Sequence, residues 1–260
     1  MTGRTLDGSA GDADYGIIGT DYSAYRRPDP RIPRVIAAAL AGARTVLNVG
    51  AGAGSYESAD FEVTAVEPSE SMRAQRPAHL PAAIDATAEN LPFPDGAFDA
   101  AMATFSVHQW SDVDAGLAEM RRVTRGPVLI LTCDPALVRD FWLYEYAPLV
   151  LDAEARRYPP VDRITAVLGG SSTVTPVPIP VDCTDGFNEA YYARPEKLLD
   201  PGARLSCSAW SFVPPETAER YIGRLRRDLA DGTWDDRHGP LRAQRDYEGS
   251  LVLIRAVRAR

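Results

Sequence analysis

The chain has 260 residues, of which 45% are hydrophobic and 25% charged, and its 28 basic and 36 acidic side chains give a net charge of −8. This composition is typical of a globular protein and excludes the disordered and fibrous classes. The acidic balance, without a long basic run, argues against a nucleic-acid partner. Because no apolar run reaches the roughly 18 to 20 residues of a membrane span and the N-terminus has no apolar signal core, we expect a cytoplasmic protein without a membrane partner.

The first half of the chain alternates between predicted helices and strands. A helix is expected from about Asp29 to Gly42, because its apolar residues recur at helical spacing. Further helices are expected over about 69–75 and 112–124, the second with Asp112 as its N-cap. Short buried strands are predicted at 45–49, 63–66, 82–86, 98–104 and 127–133. This alternation favours right-handed crossovers and a doubly wound, parallel α/β sheet.

The second half of the chain is less regular. An apolar, aromatic-rich helical region is predicted over about 136–170, followed by a strand at 174–181 and a helix over about 214–229. Residues 250–257 have the pattern of a final strand. Residues 185–212 mix aromatic and polar side chains without a clear period, which favours a cap over a ligand cleft.

Cysteine, histidine and lysine usage excludes several kinds of site. The cysteines Cys133, Cys183 and Cys207 are far apart and form no C-x-x-C pair. With three histidines to join them, neither a zinc spacing nor a disulfide framework arises, so we expect no metal. Lys197 is the single lysine of the chain, and the glycine-rich segment therefore lacks a P-loop lysine.

A glycine-rich turn follows the first predicted strand. Residues 46–49 lead directly into Gly50-Ala51-Gly52-Ala53-Gly54. Glycines let the backbone bend sharply and let a ligand approach without a Cβ in the way. Glu67 stands at the end of the second strand, where a carboxylate can accept hydrogen bonds from both hydroxyls of a ribose. The two features together predict a ligand that contains a ribose.

The spacing of this loop distinguishes two such ligands. A nicotinamide dinucleotide requires G-x-G-x-x-G/A before a full helix, but Ser55 stands at the sixth position. Residues 55–62 leave room for one or two helical turns, at about 1.5 Å per residue, and hence for a weak phosphate cradle. A cofactor with a ribose and no phosphate fits better, and S-adenosylmethionine is such a cofactor.

Several motifs in this order resemble the class I S-adenosylmethionine-dependent methyltransferases, particularly the group that acts on small molecules. The resemblance covers about residues 15–135. It rests on the segments Asn48–Gly54, Glu67–Ser69 with Met72, Thr87–Phe93 (T-A-E-N-L-P-F), Phe98-Asp99, Val107–Trp110 and Glu119–Val123.

The resemblance implies a fold and a division of the chain. The expected fold is a single domain, 1–260, with a Rossmann-like, seven-stranded and mostly parallel sheet whose last strand is antiparallel. Residues 1–28 would form an N-terminal lid and residues 29–135 the cofactor-binding core. Residues 136–215 would in part form a substrate cap, and 216–260 a C-terminal helix with the final strand.

The resemblance also implies which residues bind the cofactor S-adenosyl-L-methionine. The loop residues would lie under its methionine part, Glu67 would hold its ribose, and Met72 would either pack on the adenine or belong to the core. The full set of expected contacts in this core is Asn48, Gly50, Ala51, Gly52, Glu67, Pro68, Met72, Thr87, Ala88, Glu89, Thr104 and Phe105. Family members often carry an aspartate where Asn48 and Thr87 stand, and both departures remove negative charge from the site.

Two further residues are singled out by their position. Tyr22 and Arg26 resemble the Y-x-x-x-R lid of this group, in which a guanidinium can pair with the cofactor carboxylate. His108 follows the fourth predicted strand, at the edge where ligands bind in open α/β sheets. It could act as a catalytic general base, orient a substrate, or be a structural histidine near Trp110.

The predicted function is in-line methyl transfer to a small, apolar or aromatic metabolite. Residues 103–106 lack the D/N-P-P-Y/F turn with which nucleic-acid methyltransferases stack a flipped base. The sequence does not distinguish a carbon, a nitrogen or an oxygen atom as the methyl acceptor. Two alternative functions are a different cofactor-dependent reaction, such as a cyclisation, and a non-catalytic binding or regulatory role. The rings expected to wall an acceptor cleft are Phe141, Trp142, Tyr144, Tyr191, Tyr192 and Trp210.

Overall fold

The computed structural model describes residues 22–258, apart from the side chains of Tyr22 and Ser23. Residues 1–21 of the expected lid and the side chain of the expected cofactor residue Tyr22 therefore lie outside the described residues. The helices are α1 (Tyr22–Tyr25), α2 (Arg31–Ala39), α3 (Glu70–Ala74), α4 (Val113–Val123), α5 (Leu143–Tyr146), α6 (Pro148–Arg157), α7 (Val161–Leu168), α8 (Pro201–Leu205), α9 (Pro215–Ala230) and α10 (Thr233–His238). The strands are β1 (Thr45–Val49), β2 (Glu62–Val66), β3 (Ala100–Thr104), β4 (Val128–Cys133), β5 (Ser171–Pro176), β6 (Ile179–Pro180), β7 (Asp246–Tyr247) and β8 (Leu251–Val257).

The central sheet has the strand order β2-β1-β3-β4-β8-β5. Strands β1 to β4 run parallel, whereas β8 is antiparallel to both of its neighbours, β4 and β5. β6 and β7 form a separate antiparallel pair. The expected doubly wound α/β fold with an antiparallel last strand is thus confirmed, although the sheet has six strands among the described residues instead of seven.

The difference in strand number comes from the predicted third strand, 82–86. In the structure this segment contributes one parallel bridge, between Ile84 and Val66. The Ile84 N–H donates to the carbonyl of Ala65 at 2.9 Å, and the Glu67 N–H donates to the carbonyl of Ile84 at 3.0 Å. Ile84 is 40% exposed, and Pro81, which has no backbone N–H to donate, lies three positions before it, so this sheet edge gains little from a longer ladder.

Helices cover both faces of the sheet. On one face, α2 packs through Ile32 and Ile36 into a core shared with the second half of the chain. On the other face, α4 and α7 cover the sheet with side chains that include Leu117 and Ile164. Strand β4 is buried along its whole length, as expected for a strand covered on both sides. The helix that begins after Asp112 is capped as predicted, because the Asp112 carboxylate accepts a hydrogen bond from the Ala115 N–H at 3.1 Å.

The predicted helical region 136–170 is divided into three helices, α5, α6 and α7. Pro148 begins α6 and Pro160 precedes α7, which is where proline is compatible with a helix start. None of the helices within the described range 22–258 combines the length and apolar character needed to cross a bilayer. The strand order reverses between β2 and β3 on either side of β1, and this switch point creates a crevice at the carboxyl ends of the strands.

Candidate functional site

Two cavities lie at the carboxyl edge of the sheet. The first has an empty volume of about 860 Å³, including space open to solvent, and the second about 500 Å³. The first is lined by Arg26, Gly50, Ala51, Gly52, Ala53, Ser55, Tyr56, Glu67, Pro68, Met72, Ala88, Glu89, Thr104, Phe105, Ser106, Gln109, Trp110 and Asp185. The second is lined by Arg26, Phe105, His108, Glu154, Arg157, Tyr158, Phe187, Asn188, Ser206, Cys207, Ser208 and Ala209.

The glycine loop forms the floor of the first cavity. The N–H groups of Gly50 and Ala51 both donate to the carbonyl of Val66, at 2.9 and 3.0 Å, which ties the loop to the end of β2. Gly50 has a φ of 69°, and a Cβ there would lie 2.6 Å from the Cβ of Ser106. The loop therefore needs glycine at this position both for its backbone conformation and for its close approach to the segment after β3.

Glu67 joins the loop to the segment after β2. Its Oε2 accepts a hydrogen bond from the Gly52 N–H at 2.8 Å, and its Oε1 accepts one from the Ser69 N–H at 2.8 Å. The residue is 7% exposed, yet it lines the first cavity. Each oxygen of a carboxylate can accept more than one hydrogen bond, so these two backbone contacts are compatible with a ligand bound at Glu67.

Two other elements contribute to the walls of the first cavity, helix α3 and the loop that precedes β3. Met72, on α3, is buried beside Gly52, where a Cβ would lie 3.3 Å from the Met72 Cε. Glu89 accepts hydrogen bonds from the Ser111 hydroxyl at 2.9 Å and the Asp112 N–H at 3.0 Å, which fixes the loop that precedes β3 to the start of α4. The cavity is thus built from local turns at the ends of three neighbouring strands.

Backbone strain is concentrated at this site. Tyr56 and Phe105 have φ values of 67° and 52° and are the non-glycine residues with positive φ among those described. Both line the first cavity, and their ring centroids lie 6.2 Å apart. Residues in such sparsely populated backbone regions persist where the surrounding contacts hold them, and they cluster at functional sites.

A buried carboxylate links three parts of the chain above this cavity. Asp185 accepts hydrogen bonds from the Tyr56 hydroxyl and from Arg26 Nε, with a longer contact of 3.4 Å from Arg26 Nη2. Burial, followed by the Asp185 charge, raises the pKa of Tyr56 well above its usual value. Arg26 was expected to reach a cofactor carboxylate; in the structure it lines the cavity while its guanidinium is held by Asp185.

His108 lies in the second cavity, within the 3-10 helix Val107–Gln109 that follows β3. Burial, then the charges of Arg157 and Arg26, hold the pKa of His108 well below its usual value. The ring packs on Tyr158 at a centroid distance of 4.5 Å. Its buried Nδ1 has no hydrogen-bond partner among the described residues. A histidine in these surroundings is neutral near pH 7 and is a weaker base than a free imidazole.

The structure brings most of the expected cofactor residues together. Those that line the first cavity are Arg26, Gly50, Ala51, Gly52, Glu67, Pro68, Met72, Ala88, Glu89, Thr104 and Phe105. Asn48 and Thr87 do not line it. Asn48 is fully buried in β1, where its Nδ2 donates to Glu57 Oε1 at 3.0 Å.

The second half of the chain also contributes lining residues, and no sequence pattern predicted them. Asp185 lies more than a hundred residues after the glycine loop, in a segment without periodicity, and no local pattern marks it. The expected aromatic wall is wrong, because none of the six rings lines either cavity. Trp142, for example, is 5% exposed in the core and donates its indole N–H to the carbonyl of Tyr192 at 3.0 Å.

Comparisons with known proteins agree with this architecture. Residues 47–130 match the family model described as a methyltransferase domain. The uncharacterized protein YafE of Escherichia coli (strain K12) is 33% identical over 84 residues, which are 31% of this chain and 41% of that protein. The ubiquinone/menaquinone biosynthesis C-methyltransferase UbiE of Burkholderia cenocepacia (strain HI2424) is 39% identical over 84 residues, 27% of this chain and 34% of that protein. These matches thus span less than half the length of the curated relatives.

A solved structure extends the similarity beyond this segment. A proposed methyltransferase from an antibiotic biosynthesis pathway of Anabaena variabilis is 29% identical, with a TM-score of 0.82 over 89% of this chain and 98% of that chain. The family model and the structural match coincide with the glycine loop and with Glu67 at the end of β2. Residues 47–130 therefore match a methyltransferase domain, and most of the chain is similar in fold to a solved structure described as a proposed methyltransferase.

Proposed function

We propose that this protein binds S-adenosylmethionine in the first cavity and transfers its methyl group to a small molecule. The observation that carries the proposal is the position of Glu67, a buried carboxylate that opens onto the cavity beside the glycine loop. When bound, this cofactor supplies a methyl group on a positively charged sulfur. The match of residues 47–130 to a methyltransferase domain and the length of the structural match support the same reaction.

The residues present fit the cofactor. The loop approaches the cavity with no Cβ at Gly50 or Gly52, which leaves space for the chain of an amino acid. Glu67 lines the cavity with a carboxylate, a group that can accept hydrogen bonds from two ribose hydroxyls, and Met72 with Ala88 offers an apolar surface for a flat base. We therefore assign the ribose to Glu67 and the adenine to the Met72 side of the cavity.

The chain's main contribution to methyl transfer is to position the reactants. An in-line displacement is accelerated when nucleophile and methyl group are held close and water is excluded. Phe105 stands between the two cavities and lines both, so it can shape the path from one to the other. His108 is assigned a hydrogen-bonding role in place of the general base considered from the sequence, because its pKa is lowered by burial and two nearby arginines.

The substrate is assigned to the small-molecule class. The chain's net charge of −8 opposes binding of a polyanion, and what affinity there is should fall as salt rises. The second cavity, of about 500 Å³, is of a size that suits a metabolite.

The proposal is tested in two measurements. Calorimetry with S-adenosylmethionine and S-adenosylhomocysteine should show binding of both. The protein is then incubated with methyl-labelled cofactor and separate pools of metabolites, tRNA and protein, and label is expected in a small molecule. Absence of cofactor binding, or label found in tRNA or protein and in no small molecule, contradicts the proposal.

A further inference from the structure

The two cavities meet at a shared boundary. Arg26, just after α1, and Phe105, just after β3, each line both of them. The Phe105 ring also lies 5.4 Å from the ring of Phe187, on the far side in the second cavity. A molecule in the second cavity would therefore lie beside a ligand in the first, as a methyl acceptor must.

The second cavity is polar and charged instead of aromatic. Helix α6 contributes Glu154 and Arg157, which are three positions apart and so lie on the same side of the helix. Arg157 Nη1 donates to the hydroxyl of Ser208 at 2.9 Å, and Asn188 Nδ2 donates to Glu154 Oε2 at 2.7 Å. These hydrogen bonds fix the charged side chains against the cap, so the cavity is a built site.

Two guanidinium groups lie near His108, and one of them, that of Arg26, is also paired with the carboxylate of Asp185. Arg157 and Arg26 both disfavour a proton on its ring, in addition to the larger effect of burial. The cavity also contains the carboxyl group of Glu154, whose pKa is raised by burial and whose Oε2 accepts a hydrogen bond from Asn188. The hydroxyl of Tyr158, which packs on His108, is also kept protonated by burial, because its pKa is raised well above its usual value.

The buried ring of His108 also indicates a ligand in the second cavity. Its Nδ1 is buried without a partner in the described part of the chain. Buried polar atoms are rarely left without a hydrogen bond, so such an atom at the wall of a cavity marks a place for a ligand group. A neutral imidazole can provide either one donor or one acceptor at this place.

On the basis of the proposed function, we propose that the methyl acceptor binds in the second cavity as an anion, a phenolate, enolate or carboxylate whose charge lies between Arg26 and Arg157 and which hydrogen-bonds to His108. Two guanidinium groups favour the ionised form of an acidic acceptor. The acceptor's proton then passes to solvent when it binds, and no strong base is required in the cavity. A cationic amine would meet the same two charges as repulsion.

The probe for this proposal is 4-nitrophenol, because its phenol and phenolate forms absorb at different wavelengths. The protein is saturated with S-adenosylhomocysteine to fill the first cavity, and the absorbance of bound nitrophenol is followed against pH. We expect its pKa to fall by roughly 1 unit or more on binding, since nearby opposite charges shift pKa values by about 1 to 3 units. Arg157→Gln should remove much of this shift, and Arg157→Lys should retain it.

The control is Arg156→Gln, which changes an exposed arginine one position away on the same helix and should leave the shift unaltered. The proposal is overturned if nitrophenol does not bind at millimolar concentration, if its pKa is unchanged or raised, or if Arg157→Gln has no effect. Tighter binding of the cation 4-nitrobenzylamine would also overturn it and would assign the cavity to amines through Glu154. Calorimetry with S-adenosylhomocysteine separates these results from a failure of the proposed function, which would appear as loss of cofactor binding itself.

Discussion

Replacement of Glu67 by glutamine tests the proposed cofactor site, because it exchanges one carboxylate oxygen for an NH2 group and removes the charge with almost no change of shape. In the structure, each oxygen of Glu67 accepts a backbone N–H, from Gly52 and from Ser69. Glutamine keeps one acceptor oxygen and replaces the other with an NH2 group, which would face a backbone donor. The variant therefore loses one loop contact and one of the two acceptors assigned to the ribose.

The size of the effect follows from this count. A hydrogen bond to a charged group contributes about 1.5 to 3 kcal/mol, and one such bond to the cofactor is lost in Glu67→Gln. At about 1.4 kcal/mol for each factor of ten, affinity for S-adenosylhomocysteine should fall by roughly 10- to 140-fold. The lost loop contact should also lower the free energy of unfolding by about 1 to 3 kcal/mol, because a buried N–H is left without its acceptor.

The assay is titration calorimetry with S-adenosylhomocysteine, together with urea unfolding of the same samples. Glu70→Gln is the matched control, since Glu70 begins α3 at an exposed position and does not line the first cavity. The reasoning is refuted if Glu67→Gln folds and binds within twofold of the wild type. It is equally refuted if Glu70→Gln weakens binding as much.

Three further variants probe other parts of the site. Gly50→Ala should impair both folding and cofactor binding, because it adds a steric clash to backbone strain of about 1 to 2 kcal/mol. Gly42→Ala is the control for strain alone, since Gly42 has a φ of 91° and an added Cβ would meet no atom within 4 Å. Calorimetry and urea unfolding of both variants separate the effect of the clash from that of the strain. Asp185→Asn should destabilise the protein by about 3 kcal/mol in urea unfolding, because its side chain is 3% exposed, while Asp182→Asn, 73% exposed, should cost less than about 1 kcal/mol; equal losses would contradict this. Below pH 6.5 the unfolded chain takes up a proton on His108 and the folded chain does not, because the folded-state pKa is lowered. The free energy of unfolding should therefore decrease as the pH is lowered, by roughly 1.4 kcal/mol per pH unit, until the folded-state pKa is reached. His108→Gln should remove this slope in unfolding curves measured between pH 6.5 and 5.5, and an unchanged slope would show that the pKa is not lowered.

Most of the first cavity was predictable because those parts of it are local in sequence. The loop after β1 and the carboxylate after β2 are marked by short patterns, and parallel strands bring their carboxyl ends to one edge. The exceptions also have a local cause. Asn48 points into the structure from β1, whose side chains alternate between the two faces of the sheet, and its amide is engaged by Glu57.

The second cavity was not predictable, since its residues come from parts of the chain with no shared pattern. Composition identifies aromatic side chains, but it does not distinguish a ring in the core from a ring at a cleft. Phe141 is 1% exposed, whereas Phe187, which the sequence analysis did not single out, lines the cavity. In the sequence, Glu154 and Arg157 have the pattern of the solvent-exposed face of an ordinary helix, and their position at a cavity becomes visible only in the structure.

The antiparallel pairing of β4 with β8 brackets the part of the chain that supplies most of the second cavity. Val128 pairs with Ala256, and between these two strands the chain rejoins the sheet as β5, which also pairs with β8. Glu154 and Arg157 lie in this segment, whereas the glycine loop and Glu67 precede it. Asp185 lies in it too and holds Arg26 and Tyr56 at the first cavity. An exchange of this segment between related proteins would therefore have to preserve both the pairing of β5 with β8 and the contacts of Asp185.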